Sequence, residues 1–204
     1  MPDSHGKAEE SRIAKITLRN RLLTARRTLS AADRTAAALA VHLATTTLVR
    51  RRRPATVAAY VPVGAEPGGP DLPGALTAAL PRRGRLLLPV LRPDLDLDWA
   101  HYTPGTLTAG PRGLSEPSGA RLGVDAVREA ELLIVPALAV GRDGTRLGRG
   151  GGSYDRALAR AGNAVLVALL HDGELLDTVP AEPHDVAVHA VITPADGLVV
   201  LRHF

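Results

Sequence analysis

The sequence predicts an α/β protein with a mostly parallel sheet that is covered by helices on both faces. Short, continuous apolar runs, such as residues 131–138 and 164–170, are typical of strands buried on both sides. Segments of helical character alternate with these runs, which is typical of parallel sheets. In such sheets ligands bind at the carboxyl ends of the strands, so the loops after Val61, Val90 and Leu138 are the expected location of a site.

The chain is expected to begin with a flexible tail at residues 1–10, followed by a single domain at residues 11–204. Residues 11–29 contain neither Pro nor Gly, and their apolar side chains recur at helical spacing to form one apolar side: Ile13, Ile16, Leu22 and Leu23. Ser30 can cap the amides of a second helix, which is predicted to end before Pro54.

Beyond Pro54, strands are predicted to alternate with helices. Buried strands are predicted at residues 56–61, 85–90, 131–138 and 164–170, and the last two strands at residues 190–193 and 198–201. Residues 95–102 alternate in character, which predicts an edge strand. Helices are predicted at residues 72–80 and 154–161.

The composition is that of a globular protein that favours anionic partners. Apolar residues make up 45% and charged residues 23% of the 204 residues, which is enough for one well-buried core. The formal charge of +4 favours phosphates, polyglutamate tails or nucleic acid as ligands. Cysteine is absent, which excludes disulfides, thiolate metal sites and cysteine nucleophiles. With no long apolar run and no signal-like N-terminus, we expect a cytoplasmic protein without a membrane partner.

A glycine-rich stretch after the third predicted buried strand is the main candidate for chemistry. Five glycines fall between Gly144 and Gly152, directly before a predicted helix. Glycine lets backbone amides close around an anion, and a helix N-terminus adds partial positive charge. Arg146 and Arg149 add guanidinium groups suited to phosphate oxygens, and Asp155 can meet a magnesium ion. The P-loop and dinucleotide fingerprints are missing, so these residues alone leave open a phosphate site or a plain glycine-rich turn.

The run Arg146-Leu-Gly-Arg-Gly-Gly-Gly-Ser-Tyr-Asp155 closely resembles the ATP-binding signature of the 5-formyltetrahydrofolate cyclo-ligase family, also called methenyltetrahydrofolate synthetases. Other segments agree with the family in order and spacing, and the resemblance covers residues 13–194. These segments are Lys15-Ile-Thr-Leu-Arg19, Tyr60-Val-Pro-Val-Gly-Ala-Glu66, Leu114-Ser-Glu-Pro117 and Pro183-His-Asp185.

The resemblance implies a three-layer α/β/α fold, similar to the NagB/RpiA/CoA-transferase-like fold, and an activity. The activity would be the ATP- and magnesium-dependent cyclisation of 5-formyltetrahydrofolate to 5,10-methenyltetrahydrofolate, with release of ADP and phosphate. The substrate could carry a polyglutamate tail, and the protein is expected to be a monomer that does not bind nucleic acid.

The resemblance also assigns roles to residues. Catalysis falls to Arg149 and Tyr154, magnesium binding to Asp155 and Asp185, and substrate binding to Val61, Glu66 and Tyr154. The implied ATP-binding residues are Lys15, Arg19, Arg146, Leu147, Gly148, Arg149, Gly150, Gly151, Gly152, Ser153 and Tyr154. The chain departs from the family pattern at Ser153, where many members have an aromatic residue, at Gly151, where some have Lys, and at Pro111-Arg112-Gly113, a region that often bears an aromatic residue.

Two other readings stay open from the residues alone. The chain could be a nucleotide-binding paralogue of the same fold that lacks cyclo-ligase activity. Taken singly, Lys15 and Arg19 could also form a solvated helix face, and Glu66 and Asp185 could be ordinary loop carboxylates. The basic run at residues 50–53 could instead bind nucleic acid, although positive charge is also favoured at a helix C-terminus. Aromatic residues for base stacking are scarce at 2%, which argues against single-strand binding.

Overall fold

A computed structural model describes residues 4–182 and 185–204 of the chain. The helices in this part are α1 Ser4–Thr28, α2 Ala31–Arg52, α3 Leu72–Ala79 and α4 Ser153–Arg160, with short 3-10 turns at Pro111–Gly113 and Val124–Glu129. The strands are β1 Thr56–Ala58, β2 Arg85–Leu91, β3 Leu97–His101, β4 Leu107–Ala109, β5 Ser115–Pro117, β6 Leu132–Pro136, β7 Ala139–Gly141, β8 Arg146–Leu147, β9 Val165–Leu169, β10 Leu175–Leu176, β11 Ala190–Thr193 and β12 Gly197–Val200.

Seven strands form the main sheet in the order β12-β11-β9-β6-β1-β2-β3. The five inner strands run parallel, and β3 and β12 pair antiparallel at the two edges. The predicted α/β class, the mostly parallel sheet and the edge position of residues 95–102 are therefore confirmed.

Both faces of the sheet are buried, as the continuous apolar runs predicted. Along β6, Leu132 and Ile134 pack in one cluster with residues of α2 and α3. Leu133 and Val135 point to the other face and pack with residues of α4 and the Val124–Glu129 turn. Successive side chains of a strand alternate between faces, so an apolar residue is needed at every position of such a strand.

The N-terminal helix differs from its prediction in length and in its buried face. It begins at Ser4, so residues 4–10 are helical rather than part of a loose tail, because Ala and Glu at these positions favour a helix without needing an apolar side. Ile13 and Ile16 are about half exposed, whereas Lys15, Leu22 and Arg26 are buried. The expected single apolar side is therefore wrong, because α1 turns its cationic residues inward to meet carboxylates and carbonyl oxygens.

The second helix follows the prediction closely. The Ser30 hydroxyl accepts a hydrogen bond from the Asp33 amide at 3.1 Å, and the helix ends at Arg52, ahead of Pro54. Arg50, Arg51 and Arg52 form its last turn, where positive charge opposes the partial negative charge of the helix end. In the part of the chain that the structure describes, no helix combines the length and apolarity needed to cross a membrane.

His189 connects the last strands to the sheet and makes the stability depend on pH. Its Nδ1 accepts a hydrogen bond from the Leu166 amide at 3.0 Å, which requires an unprotonated nitrogen. Burial lowers the pKa of His189, and the nearby Arg202 and Arg52 lower it further. A lowered pKa in the folded state means that the unfolded chain takes up the proton first as the pH falls.

We therefore expect the free energy of unfolding to decrease as the pH drops below about 6.5. The variant His189→Gln lacks this titration, so its profile should be flatter over the same window. Urea unfolding of both proteins between about pH 7.5 and 5.5 measures the difference. Parallel profiles for the two proteins would contradict the assignment.

Candidate functional site

A cavity of about 590 Å³ opens at the carboxyl ends of β1, β2 and β6. The loops after these three strands were the predicted location. The cavity is lined by residues at or beyond the end of each strand: Val61, Val63 and Glu66 after β1, Pro89 and Leu91 at the end of β2 with Leu95 after it, and Pro136 at the end of β6 with Ala137 and Leu138 after it. The walls near β2 and β3 are apolar, whereas the side formed by residues 146–155 is cationic and rich in glycine.

The glycine-rich stretch is a short strand followed by a tight loop and a helix. Arg146 and Leu147 form β8, which pairs antiparallel with β7. The loop then passes through Gly150 and Gly152, whose positive φ values of 94° and 69° are readily available only to glycine. The loop ends at the N-terminus of α4, where free amides face an incoming anion.

Arg146 lies beneath this loop with its guanidinium group buried. Its Nη1 donates to the Pro136 carbonyl oxygen at 3.2 Å, and its Nη2 donates to the carboxylate of Asp155. Gly148 leaves room for this arrangement, because a Cβ atom there would lie 2.7 Å from Arg146 Nη1. The Arg146 Nε is buried and has no hydrogen-bond partner within the described residues.

Arg149 extends from the loop across the cavity mouth. Its Nη1 lies 3.1 Å from Glu66 Oε1, and the Arg149 side chain is 59% exposed whereas that of Glu66 is 13% exposed. The other oxygen of Glu66 accepts a hydrogen bond from the Val63 amide at 2.9 Å, and this bond holds the carboxylate in place. The cation is thus largely exposed to solvent, whereas its partner is held by a second hydrogen bond.

Helix α1 carries two more predicted residues, and neither of them lines the cavity. Arg19 Nε donates to the Gly148 carbonyl oxygen at 2.9 Å. Lys15 is buried, and its Nζ lies 2.9 Å from Asp185 Oδ2 and 3.4 Å from Glu182 Oε1. The predicted magnesium ligand Asp185 is therefore next to the predicted phosphate ligand Lys15. Pro183 and His184 of the same segment lie outside the described residues.

Leu147 is the one member of the ATP-binding run whose side chain faces away from the cavity. It is buried with Leu22 of α1, Leu138, Ala139 and Val179. Its contribution is to fix the strand from which the loop departs. Val61, Glu66, Arg146 and residues 148–155 all line the cavity.

Two tyrosine hydroxyl groups lie near Glu66. The Tyr60 hydroxyl donates to the Pro67 carbonyl oxygen at 2.9 Å. The Tyr154 hydroxyl is buried and has no partner within the described residues. Burial raises the pKa of both phenols, and the charge of Glu66 raises them further. Both groups therefore keep their protons near neutral pH, so the Tyr154 hydroxyl is able to donate a hydrogen bond to a ligand.

A buried ion pair at the base of the cavity has no counterpart in the predictions. Arg26 lines the cavity, and its guanidinium group meets the carboxylate of Glu174 through two hydrogen bonds of 2.7 and 2.8 Å. It also donates to the Ala137 carbonyl oxygen at 2.6 Å. Arg26 lies seven positions after Arg19 and therefore on the same side of α1. This spacing was the one feature of the sequence that could have indicated Arg26 as a site residue.

Over residues 4–182 and 185–204, no three side chains of His, Cys, Asp or Glu are grouped so that they could hold a metal ion by themselves. Magnesium usually needs only one or two protein carboxylates when substrate phosphates and water complete its shell. Asp155, at the cavity wall beside the glycine-rich loop, fits that requirement. Asp185 is largely buried beside Lys15.

Comparison with known proteins identifies relatives of this site. The model of the 5-formyltetrahydrofolate cyclo-ligase family matches residues 11–194. A 5-formyltetrahydrofolate cyclo-ligase of Mycolicibacterium smegmatis is 51% identical over 153 residues, which are 72% of this chain and 77% of the relative. The cyclo-ligase of Escherichia coli K12 is 34% identical over 116 residues, which are 54% of this chain and 64% of the relative.

Solved structures agree with these matches. The NMR structure of 5,10-methenyltetrahydrofolate synthetase from Aquifex aeolicus superposes with a TM-score of 0.77 and 26% identity, covering 93% of this chain and 94% of the other. A 5,10-methenyltetrahydrofolate synthetase from Mycoplasma pneumoniae superposes with a TM-score of 0.69 and 18% identity, covering 87% and 96%. The second match is evidence for the fold alone.

Proposed function

Because the chain belongs to the 5-formyltetrahydrofolate cyclo-ligase family, we propose that it uses ATP and magnesium to convert 5-formyltetrahydrofolate into 5,10-methenyltetrahydrofolate, with release of ADP and phosphate. The substrate can carry a polyglutamate tail, and we propose that the enzyme is a cytoplasmic monomer. As a ligase of folate metabolism, it must bring a nucleotide and a folate together in one cavity.

One observation in particular supports this proposal. Two buried donors at the cavity, Arg146 Nε and the Tyr154 hydroxyl, have no hydrogen-bond partner among the described residues. A buried polar group without a partner costs about 1–3 kcal/mol, so such groups are expected where a ligand supplies the acceptor. Both donors flank the glycine-rich loop, whose shape and charge suit phosphate oxygens.

The chemical problem in this reaction is a poor leaving group. The formyl oxygen of the amide attacks the γ-phosphorus of ATP, the bond to ADP breaks, and an N5-iminium phosphate forms. N10 then attacks the formyl carbon and loses its proton, and the carbon–oxygen bond to phosphate breaks to give the methenyl product. The protein supplies alignment and charge stabilisation rather than covalent chemistry.

The cationic residues have distinct tasks in this scheme. Arg146 is held by Pro136 and Asp155 and provides a fixed positive charge under the loop. Arg149 is the mobile cation that can leave Glu66 and follow the γ-phosphoryl group during transfer. Amides of Gly148 to Ser153 and the side chains of Lys15 and Arg19 complete the phosphate environment.

Glu66 and Tyr154 orient the folate. Once Arg149 turns to the phosphates, the fixed Glu66 carboxylate is available to accept hydrogen bonds from ring N–H groups. The protonated Tyr154 hydroxyl can donate to the substrate, and Val61 forms part of the wall next to them.

Asp155 and Asp185 are the proposed magnesium ligands. When bound, the ion neutralises charge that develops on the phosphate oxygens. Each carboxylate is paired with a cation in the described structure, Asp155 with Arg146 and Asp185 with Lys15. Phosphate can therefore pair with the cations while magnesium pairs with the carboxylates, so that binding of each favours binding of the other.

The proposal is tested by an absorbance assay for the methenyl product. Product is expected only when ATP, magnesium and 5-formyltetrahydrofolate are all present. If the protein binds ATP but forms no product at high enzyme concentration, and the folate does not stimulate ATP hydrolysis, the chain is a nucleotide-binding paralogue instead. Binding that is independent of folate and falls steeply with salt would indicate nucleic acid.

Gly148→Ala is expected to raise the KM for ATP by roughly ten- to a hundredfold. The added methyl group would meet Arg146 Nη1 at 2.7 Å and displace the guanidinium group from beneath the loop. Stability should change by less than about 1 kcal/mol, because the obstructing atom is the end of a flexible side chain. Steady-state kinetics and urea unfolding measure the two effects.

Gly151→Ala is the matched control for this variant. A Cβ atom at Gly151 has only Ser153 Oγ nearby, at 3.7 Å, and its backbone is outside the left-handed region. Its KM for ATP should change by no more than about threefold, a difference worth about 0.6 kcal/mol. Equal effects of the two substitutions would show that the contact with Arg146 is not the cause.

A further inference from the structure

Four arginine residues line the cavity, and one of them differs from the rest. Arg26 pairs with Glu174, Arg146 with Asp155, and Arg149 with Glu66. Within residues 4–182 and 185–204, Arg112 has no carboxylate partner and no side-chain hydrogen bond. It is the cavity cation whose charge is not already matched by a protein group.

The backbone that carries Arg112 is built to a defined shape. Arg112 has φ 58° and ψ 25°, in the left-handed region that side chains other than Gly and Asn rarely adopt. Such a conformation costs on the order of 1 kcal/mol and persists where the surroundings enforce it.

These surroundings are the β4–β5 hairpin. Glu116 Oε1 accepts a hydrogen bond from the Leu91 amide at 2.8 Å, and this bond attaches the hairpin to the end of β2. Gly110 packs so closely on Glu116 that a Cβ atom would lie 2.6 Å from its Cδ. The backbone at Arg112 is therefore held at the cavity rim, and the exposed side chain extends from it.

Arg112 reaches the cavity from a different part of the fold than the phosphate loop does. The glycine-rich loop follows β6 and β7, whereas the hairpin with Arg112 is attached to β2. Strand β1, which leads to Glu66, lies between β6 and β2, and these two strands are about 10 Å apart. The wall near β2 is apolar: Pro89, Leu91, Leu95, Leu97 and Leu114.

The groups that line the cavity suit the different parts of a folate. An acceptor at Glu66 suits the ring N–H groups, the apolar wall suits the ring system, and a free guanidinium group suits the glutamate end. We propose that Arg112 binds a carboxylate of the glutamate moiety of the substrate and sets the affinity for it. This inference rests on the proposed function, and it assigns to the site a specificity residue that does not touch the reacting atoms.

The test uses a charge-removing variant and a substrate that lacks the glutamate. Arg112→Asn removes the cation and tolerates the left-handed backbone, and Arg112→Lys keeps the charge. The matched control is Arg121→Asn, because Arg121 is an exposed arginine that follows β5 and does not line the cavity. The substrates are 5-formyltetrahydrofolate and 5-formyltetrahydropteroate, which ends before the glutamate.

For the intact folate, Arg112→Asn should raise KM and the calorimetric Kd by roughly three- to tenfold, with kcat and the KM for ATP nearly constant. Arg112→Lys should recover part of this loss, and Arg121→Asn should behave as the parent. For the truncated substrate, the parent and Arg112→Asn should bind equally well. An unchanged KM for the intact folate, or an equal loss with both substrates, would overturn the assignment. Absence of methenyl product from the parent with either substrate would instead overturn the proposed function.

Discussion

An Arg149→Ala enzyme is expected to fold as the parent does and to lose about two to three orders of magnitude in kcat for methenyl formation. Stability should change by no more than about 1 kcal/mol, because the Arg149 side chain is 59% exposed and the largely buried Glu66 carboxylate keeps its hydrogen bond from the Val63 amide. Catalysis should fall steeply, because the role proposed for Arg149 is to follow charge on the transferring phosphoryl group. Single-turnover kinetics with the methenyl chromophore measure the effect on the chemical step.

Two further variants separate charge at the phosphate from loss of the Glu66 contact. Arg149→Lys should restore part of the activity, because a point charge remains although the fork geometry is lost. Arg142→Ala removes an equally exposed arginine that pairs with Asp177 at 3.2 Å outside the cavity, and it should turn over as the parent does. An Arg149→Ala enzyme with parental kcat would remove Arg149 from the phosphate site.

The strands of the main sheet were predictable because their physics is local. A run such as Leu132 to Val135 is apolar at every position, and only a strand covered on both faces needs that pattern. The capping of α2 by Ser30 also depends only on local sequence, since the hydroxyl accepts a hydrogen bond from an amide three residues further on. Where an element depends on residues that are neighbours in sequence, its predicted bounds differ from the observed bounds by only a few residues.

The organisation of the site depended on contacts between distant parts of the chain. Lys15 meets Asp185 across 170 positions, and Arg149 meets Glu66 across 83. Family resemblance named these four residues, but no pattern in the sequence gave their pairing. The buried side of α1 was likewise not predictable. It is determined by carboxylates and carbonyl oxygens far along the chain, and Ile13 and Ile16 are not part of it.

Several small strands were missed for a related reason. Strands β7, β8 and β10 are two or three residues long, too short to show a periodicity, and they form a separate sheet next to the cavity. Of these, β8 fixes the start of the glycine-rich loop through its pairing with β7, and its Leu147 packs with Leu22 of α1. A loop that seemed irregular in sequence thus begins from a fixed strand, which keeps Arg146 beneath the loop.

Replacing Glu174 by Ala is expected to destabilise the fold by about 3–5 kcal/mol. The substitution leaves the Arg26 guanidinium group buried without its carboxylate, at a position where only 4% of the side chain is exposed. It also removes the acceptor of the His171 amide, which donates to Glu174 Oε2 at 2.7 Å. The cost exceeds that of an exposed pair because a buried charge cannot recover its interaction with water. Urea unfolding gives the change in free energy.

The cost should come mainly from the isolated charge rather than from loss of the ion pair as such. Converting both partners, as in Arg26→Met with Glu174→Met, should therefore be more stable than Glu174→Ala alone, because apolar side chains of similar size can replace a buried pair. Asp177→Ala, which breaks the exposed pair with Arg142, should cost less than about 0.5 kcal/mol. A Glu174→Ala protein within about 1 kcal/mol of the parent would show that Arg26 finds water or another acceptor.

Because Arg26 also donates to the Ala137 carbonyl oxygen at the cavity wall, the double variant should fold yet bind ligands less well. Comparing its stability with its ligand binding separates the structural contribution of the pair from its contribution to the site.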